Sequence, residues 1–163
     1  IDPDINYQNA IDAYKRGINA DPNYAYACAR LGSLYEKLGD NQRAISIDPD
    51  INYQNAIDAY NRGIEADQND AYAWYKLGLL YEKLGDYQKK ANLNPNANYE
   101  KARDAYYGAI SADQNYVYAW NRLRHISAEE GDDMGFLFIS SMISEITNKQ
   151  NLSDAHNNSL RLK

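Results

Sequence analysis

Few residues in this chain could act as nucleophile, base or metal ligand. Two histidines, His125 and His156, and one cysteine, Cys28, stand among 163 residues, with no pairing of nucleophile and base evident between them. Cys28 falls in an apolar helical stripe, where a small buried thiol is expected rather than an attacking one. Asp48-x-Asp50-x-Asn52, like Asp2-x-Asp4-x-Asn6 before it, imitates the start of a calcium loop. The imitation fails downstream: Tyr53 takes the place of the required glycine, Ala59 that of the bidentate glutamate, and Asn94, Asn96 and Asn98 carry no charge in the third copy. These residues read instead as turn formers. There is no glycine-rich phosphate cradle. Asn151-Leu-Ser153 and Asn157-Asn-Ser159 match the glycosylation triplet, which an Asn-rich stretch generates by chance. No catalytic residue, metal site or cofactor is expected.

The elements that carry these residues repeat. Residues 47–60 copy residues 1–14 without a change, and residues 1–46 agree with 47–92 at 33 positions. A third, diverged copy begins at Leu93. Each copy holds two helical stripes. In one, Ala56, Ile57, Tyr60, Gly63 and Ile64 fall at i, i+1, i+4, i+7 and i+8; in the other, Trp74, Leu77, Tyr81 and Leu84 form a bulky face notched by Gly78. Joints at Asp21-Pro22-Asn23, Asp67-Gln68-Asn69 and Asp113-Gln114-Asn115 separate the stripes, stopping one helix and able to cap the next.

Composition sets limits. A hydrophobic content of 44% suits a folded chain with a core. The net charge of −6 sets the field against nucleic acid and anionic membranes. A single cysteine makes no internal disulfide, and a reducing, cytoplasmic location fits. No apolar run approaches the roughly 20 residues that span a bilayer. From a start in mid-repeat, without an initiating methionine, an excised fragment is expected. Tyrosine is used 16 times against two phenylalanines.

Trp74-x-x-Leu77-Gly78-x-x-Tyr81, followed by Gly85-Asp86, and Tyr99-x-x-Ala102-x-x-x-Tyr106-x-x-Ala109 resemble the two helix motifs of the tetratricopeptide repeat, with Pro22 at the family's joint proline. The resemblance covers roughly residues 1–135. It implies an all-α, right-handed α-solenoid of antiparallel helix hairpins, about seven helices in all. The array would comprise units 1–46, 47–92 and 93–132 and a capping helix at 133–148, with 149–163 a loosely ordered tail. The departure is length: the period is 46 residues against about 34 in the family. The extra residues either lengthen both helices, with the turn at Asp48-Pro49 and Asn94-Pro95, or form an elbow after Gly39-Asp40 and Gly85-Asp86. A continued apolar stripe favours the first, and the helix cost of an interior glycine the second.

By the same resemblance the first helices of the hairpins line a concave groove that binds a peptide or helix of a partner protein. The positions that map there include Tyr26, Ser33, Tyr72, Tyr75, Lys76, Leu79, Tyr118, Asn121, Arg122 and His125. Tyr26, Tyr72 and Tyr118 would form an aromatic ladder with Lys76 and Arg122 beside it. The same tyrosines could equally pack between neighbouring helices. Members that clamp a chaperone's C-terminal carboxylate carry lysine and asparagine where Ala29 and Ser33 stand here, which disfavours a clamp. A scaffold without catalysis is the first expectation. The second is self-assembly by stacking or swapping through an N-terminal helix that lacks its partner and exposes Ile11, Tyr14 and Ile18.

Overall fold

The computed structural model describes residues 3–45 and 48–161, with side chains described for 6–45 and 48–154. Asp2 of the first acidic triplet and the side chain of His156 lie outside the described part. Among the described residues seven helices follow one another: α1 Pro3–Ala20, α2 Ala25–Ala44, α3 Asp50–Ala66, α4 Ala71–Lys90, α5 Asn96–Ala112, α6 Val117–Glu130 and α7 Asp133–Arg161. There is no strand among the described residues. Helices α2 and α3, α4 and α5, and α6 and α7 pair as hairpins, and α1 packs on α2. The result is an α-solenoid of antiparallel hairpins.

The lengthened hairpin is the one observed in the first two pairs. Helix α2 runs through Gly39 and α4 through Gly85, and the turns fall at Pro49 and Pro95, each just before the following helix. The glycines are in mid-helix because rings occupy the space of their missing side chains. A Cβ on Gly39 would lie 2.5 Å from Cε1 of Tyr53, and one on Gly85 2.6 Å from Cε1 of Tyr99. Gly32 and Gly78 receive Tyr60 and Tyr106 in the same way. Each long hairpin is thus closed by two tyrosines in two notches, at a helix cost of about 1 kcal/mol per glycine.

In the third copy the shorter alternative holds. Gly131, at the position of Gly39 and Gly85, takes φ 70° and ends α6; Asp132 N donates to Ser127 O at 2.9 Å, as in a left-handed helix stop. No ring lies against Gly131. Without an aromatic wedge the Gly-Asp pair reverts to its local preference, and α6 ends after 14 residues where α2 and α4 have 20.

The joints use their polar side chains on their own backbone. Asp21, Asp67 and Asp113 accept from the N–H groups of Asn23, Asn69 and Asn115 at 3.0, 2.9 and 2.9 Å. They shape the turn and do not cap the next helix; at α4 that role falls to Asp70, which accepts from Ala73 N at 3.0 Å, while α2 and α6 follow Tyr24 and Tyr116 without a side-chain cap. Asp48 and Asn94 bond Asp50 N and Asn96 N at 2.9 Å, so the supposed calcium-loop residue Asp48 is a turn former.

Both ends correct the sequence expectation. Ile11 and Ile18 are buried against α2 with Ala27, Cys28 and Leu31, so the face thought to be open is already covered. At the other end α7 continues as helix to Arg161, where a loose tail was expected from 149. No proline or glycine interrupts residues 149–161, and nothing there stops the helix. Ile139 and Ile146 bury the inner face of α7, whereas Phe136 and Phe138 of the same helix are exposed.

Candidate protein-binding groove

Helices α2, α4 and α6 lie in sequence along one side and are joined by ion pairs. Glu36 of α2, buried, meets Lys76 Nζ at 2.8 Å and Lys83 Nζ at 2.7 Å, both from α4. Lys83 also bonds Asp40 at 2.9 Å. One repeat on, buried Glu82 of α4 receives the Arg122 guanidinium of α6, with Nε at 3.0 Å from Oε2. Burial alone would raise the Glu36 carboxyl, yet the two ammoniums hold it below the usual carboxylate range. Burial likewise works against charge on Lys83 and Arg122, and their carboxylate partners outweigh it, raising both. Each acid is paired and hydrogen-bonded, the condition under which a buried charge is tolerated.

Tyrosine hydroxyls complete the arrangement. Tyr60 donates to Glu36 at 3.2 Å and Tyr106 to Glu82 at 2.6 Å, while Tyr53 and Tyr99 donate to Asp40 and Asp86, each at 2.8 Å. The acids stand just after the notches that receive the rings. Here lies the reason for tyrosine over phenylalanine: the ring fills a glycine notch and the oxygen satisfies a carboxylate that would otherwise be short of donors.

The expected groove residues divide into two groups. Tyr26, Tyr72 and Tyr118 are exposed. Tyr75 is half buried and gathers Tyr116 and Tyr118 at centroid distances of 5.5 and 6.0 Å, an aromatic cluster reaching from α4 to α6. Burial pushes the Tyr116 phenol up to about 12. Leu79 packs against the core between α4 and α6, and exposed His125 lines a cleft beside α5. The others serve the fold. Lys76 and Arg122 are committed to Glu36 and Glu82, Ser33 Oγ bonds Ala29 O at 3.2 Å, and Asn121 bonds Val117 O at 3.0 Å. Lys76 and Arg122 are therefore not the loose cations that the ladder had beside it. Glu36 and Glu82 map to the groove by the family resemblance, but the sequence reading did not pair them with Lys76 and Arg122. The signal was there: each acid stands 40 residues before a base, Glu36 before Lys76 and Glu82 before Arg122.

Two family models match within the array, one described as TPR repeat over residues 52–85 and one as Tetratricopeptide repeat over 27–48. No curated protein matches the sequence. Among solved structures, the chain is similar to a double mutant titled MamA RS-1 ArsTM (TM-score 0.62, 20% identity, 89% of this chain and 68% of that one). It is also similar to MamA 41-end from Desulfovibrio magneticus RS-1 (0.58, 19%, 91% and 69%) and to a crystal structure of MamA (0.52, 23%, 89% and 91%). At such identities the likeness speaks for the fold. Helix pairs, notched motifs and the two matched models agree on tetratricopeptide repeats in this chain, with the period lengthened to 46 residues.

Proposed function

We propose that the chain is a protein-interaction scaffold that holds a peptide or helix of a partner protein along α2, α4 and α6, with no catalysis of its own. The observation that carries this reading is the aromatic surface: exposed Tyr26, Tyr72 and Tyr118 with the Tyr75 cluster beneath them. Such rings offer large contact area at little rotamer cost. With Lys76 and Arg122 held by buried acids, the α4 and α6 part of the surface offers few free cations and suits apolar anchors on the partner. Cys28, the one thiol, is fully buried and pushed up by that burial, the reverse of an activated nucleophile.

A second reading, association through α1, has its own support. Tyr7 and Tyr14 stand one period before Tyr53 and Tyr60, half buried, with no notched helix closing on them. Against it, Arg30 of α2 occupies the position of Lys76 and Arg122, and the far end of the array offers Ala128 where a matching acid would have to be. Display of random peptides against wild type and a Tyr72→Ala/Tyr118→Ala variant tests the groove. Peptides with apolar anchors, enriched on the first and lost on the second, are the expected result. Enrichment unchanged by the two substitutions would overturn it, and oligomers that grow with concentration in sedimentation would put the α1 reading first.

A further inference from the structure

Between α4 and α5 on one side and the end of α6 on the other lies a cleft of about 440 Å³. Tyr99 and Ile126 line it together with the carboxylates Glu82, Asp86, Glu129 and Glu130 and the ammonium of Lys89. The corresponding place one repeat upstream is filled. There Lys83 reaches from α4 and bonds Glu36 Oε1 at 2.7 Å and both oxygens of Asp40 at 2.9 Å, while Leu84 and Tyr87 pack against the core that holds Tyr53. In the next copy Glu129 stands for Lys83, Glu130 for Leu84 and Asp133 for Tyr87. Helix α6 moreover stops at Glu130. The cleft is therefore the upstream site without the ammonium that Lys83 places between Glu36 and Asp40; Lys89, which also lines the cleft, reaches only Glu129, at 3.8 Å.

The bonding of the remaining groups says what is missing. Asp86, the counterpart of Asp40, accepts from the Tyr99 hydroxyl at 2.8 Å and has no cation within ion-pair distance among the described residues. Glu82 is satisfied by Arg122 and Tyr106, and Glu130 by Arg103. Glu129 has only the exposed Lys89, at 3.8 Å. Burial first, then Asp86, Glu82 and Glu129, push the Tyr99 phenol up to about 12, in keeping with a negative local field.

We propose that this cleft takes the ε-ammonium of a lysine side chain on the bound partner, held by Asp86 as Lys83 is held by Asp40, with Glu129 lining the same cleft. The inference rests on the groove reading and names a feature of the partner: a lysine placed where the segment passes the end of α6, its methylenes lying on Tyr99 and Ile126.

The test is a two-dimensional amide NMR titration of the full chain at low ionic strength with Nα-acetyl-lysine-N-methylamide, and in parallel with its norleucine counterpart, which lacks the ammonium. Saturable shifts at Asp86, Tyr99 and Glu129 with the lysine probe alone are expected. Asp86→Asn should weaken them about tenfold, the loss of one charge-assisted bond. Glu129→Lys should abolish them, because it restores the built-in ammonium; an unchanged or raised melting temperature shows that this variant folds. Equal shifts from norleucine, no saturation, or undiminished binding to Glu129→Lys would each overturn the ammonium site. A silent lysine probe together with peptides lost on Tyr72→Ala/Tyr118→Ala would reject this site and leave the groove standing. Lysine binding with no such peptides would do the opposite.

Discussion

The hydroxyl of Tyr106 donates to Oε2 of Glu82 at 2.6 Å while its ring lies on the bare Cα of Gly78. One side chain thus closes a hairpin and supplies a bond to the buried acid that ties α4 to α6. Removing the oxygen alone should separate the two tasks. Tyr106→Phe is expected to cost about 1–2 kcal/mol in urea unfolding, and Tyr106→Ala about 3–5 kcal/mol.

Glycine substitutions should disagree in sign by place. Helix propensity alone favours alanine by about 1 kcal/mol. At Gly17, where a Cβ would be 3.7 Å from the nearest atom, Tyr24 Cδ1, the variant should gain part of that. At Gly39 the Cβ would stand 2.5 Å from Tyr53, and a net loss of about 1–3 kcal/mol is expected. Chemical denaturation of both variants decides.

Stability should fall at both ends of the pH scale. The Glu36 carboxyl lies below its usual 4.5 when folded, so its contribution is present above that value and lost as pH falls through the folded one. Burial raises Tyr53, Tyr60 and Tyr106 above 10.0, and the carboxylates raise Lys83 above 10.5. Their contribution is complete below those values and lost as pH rises toward the folded ones. Melting temperature followed by circular dichroism should show a plateau between, with the alkaline limb less steep in Tyr60→Phe/Tyr106→Phe.

The distal part of α7 should be dispensable. Residues 147–154 are exposed throughout. Deleting 149–163 should lower helical ellipticity yet move the melting temperature by less than about 2 °C, whereas Ile146→Ala, in the core, should cost about 2–5 kcal/mol.

How far this was legible follows from range. Hairpins, joints and the solenoid were readable because Trp74-x-x-Leu77-Gly78-x-x-Tyr81 and the 46-residue period are local, repeated signals. The recurrence of Tyr26, Tyr72 and Tyr118 was readable from the same period; that they are exposed was not, since tyrosines so spaced could equally pack between helices. Whether Gly39 and Gly85 turn or continue was not, because the decision lies with Tyr53 and Tyr99 on the facing helix. The fate of Lys76 and Arg122 was hidden for the same reason, since their partners are a whole repeat away. Helix α7 was cut short by composition: asparagine and serine suggest a loose chain, but no residue there forbids a helix.

The acid of one repeat takes its base from the next, and both letters of that bond, the base of Lys76 and the acid of Glu82, lie within one 46-residue unit. A tandem duplication of this unit arrives already matched to its parent on either side, with no second change needed to make the joint. Lengthening the protein by copying is thus built into the bond. Ala128, where the acid should be, is the full stop: a further copy inserted behind α6 would find nothing to hold its base until that alanine became glutamate.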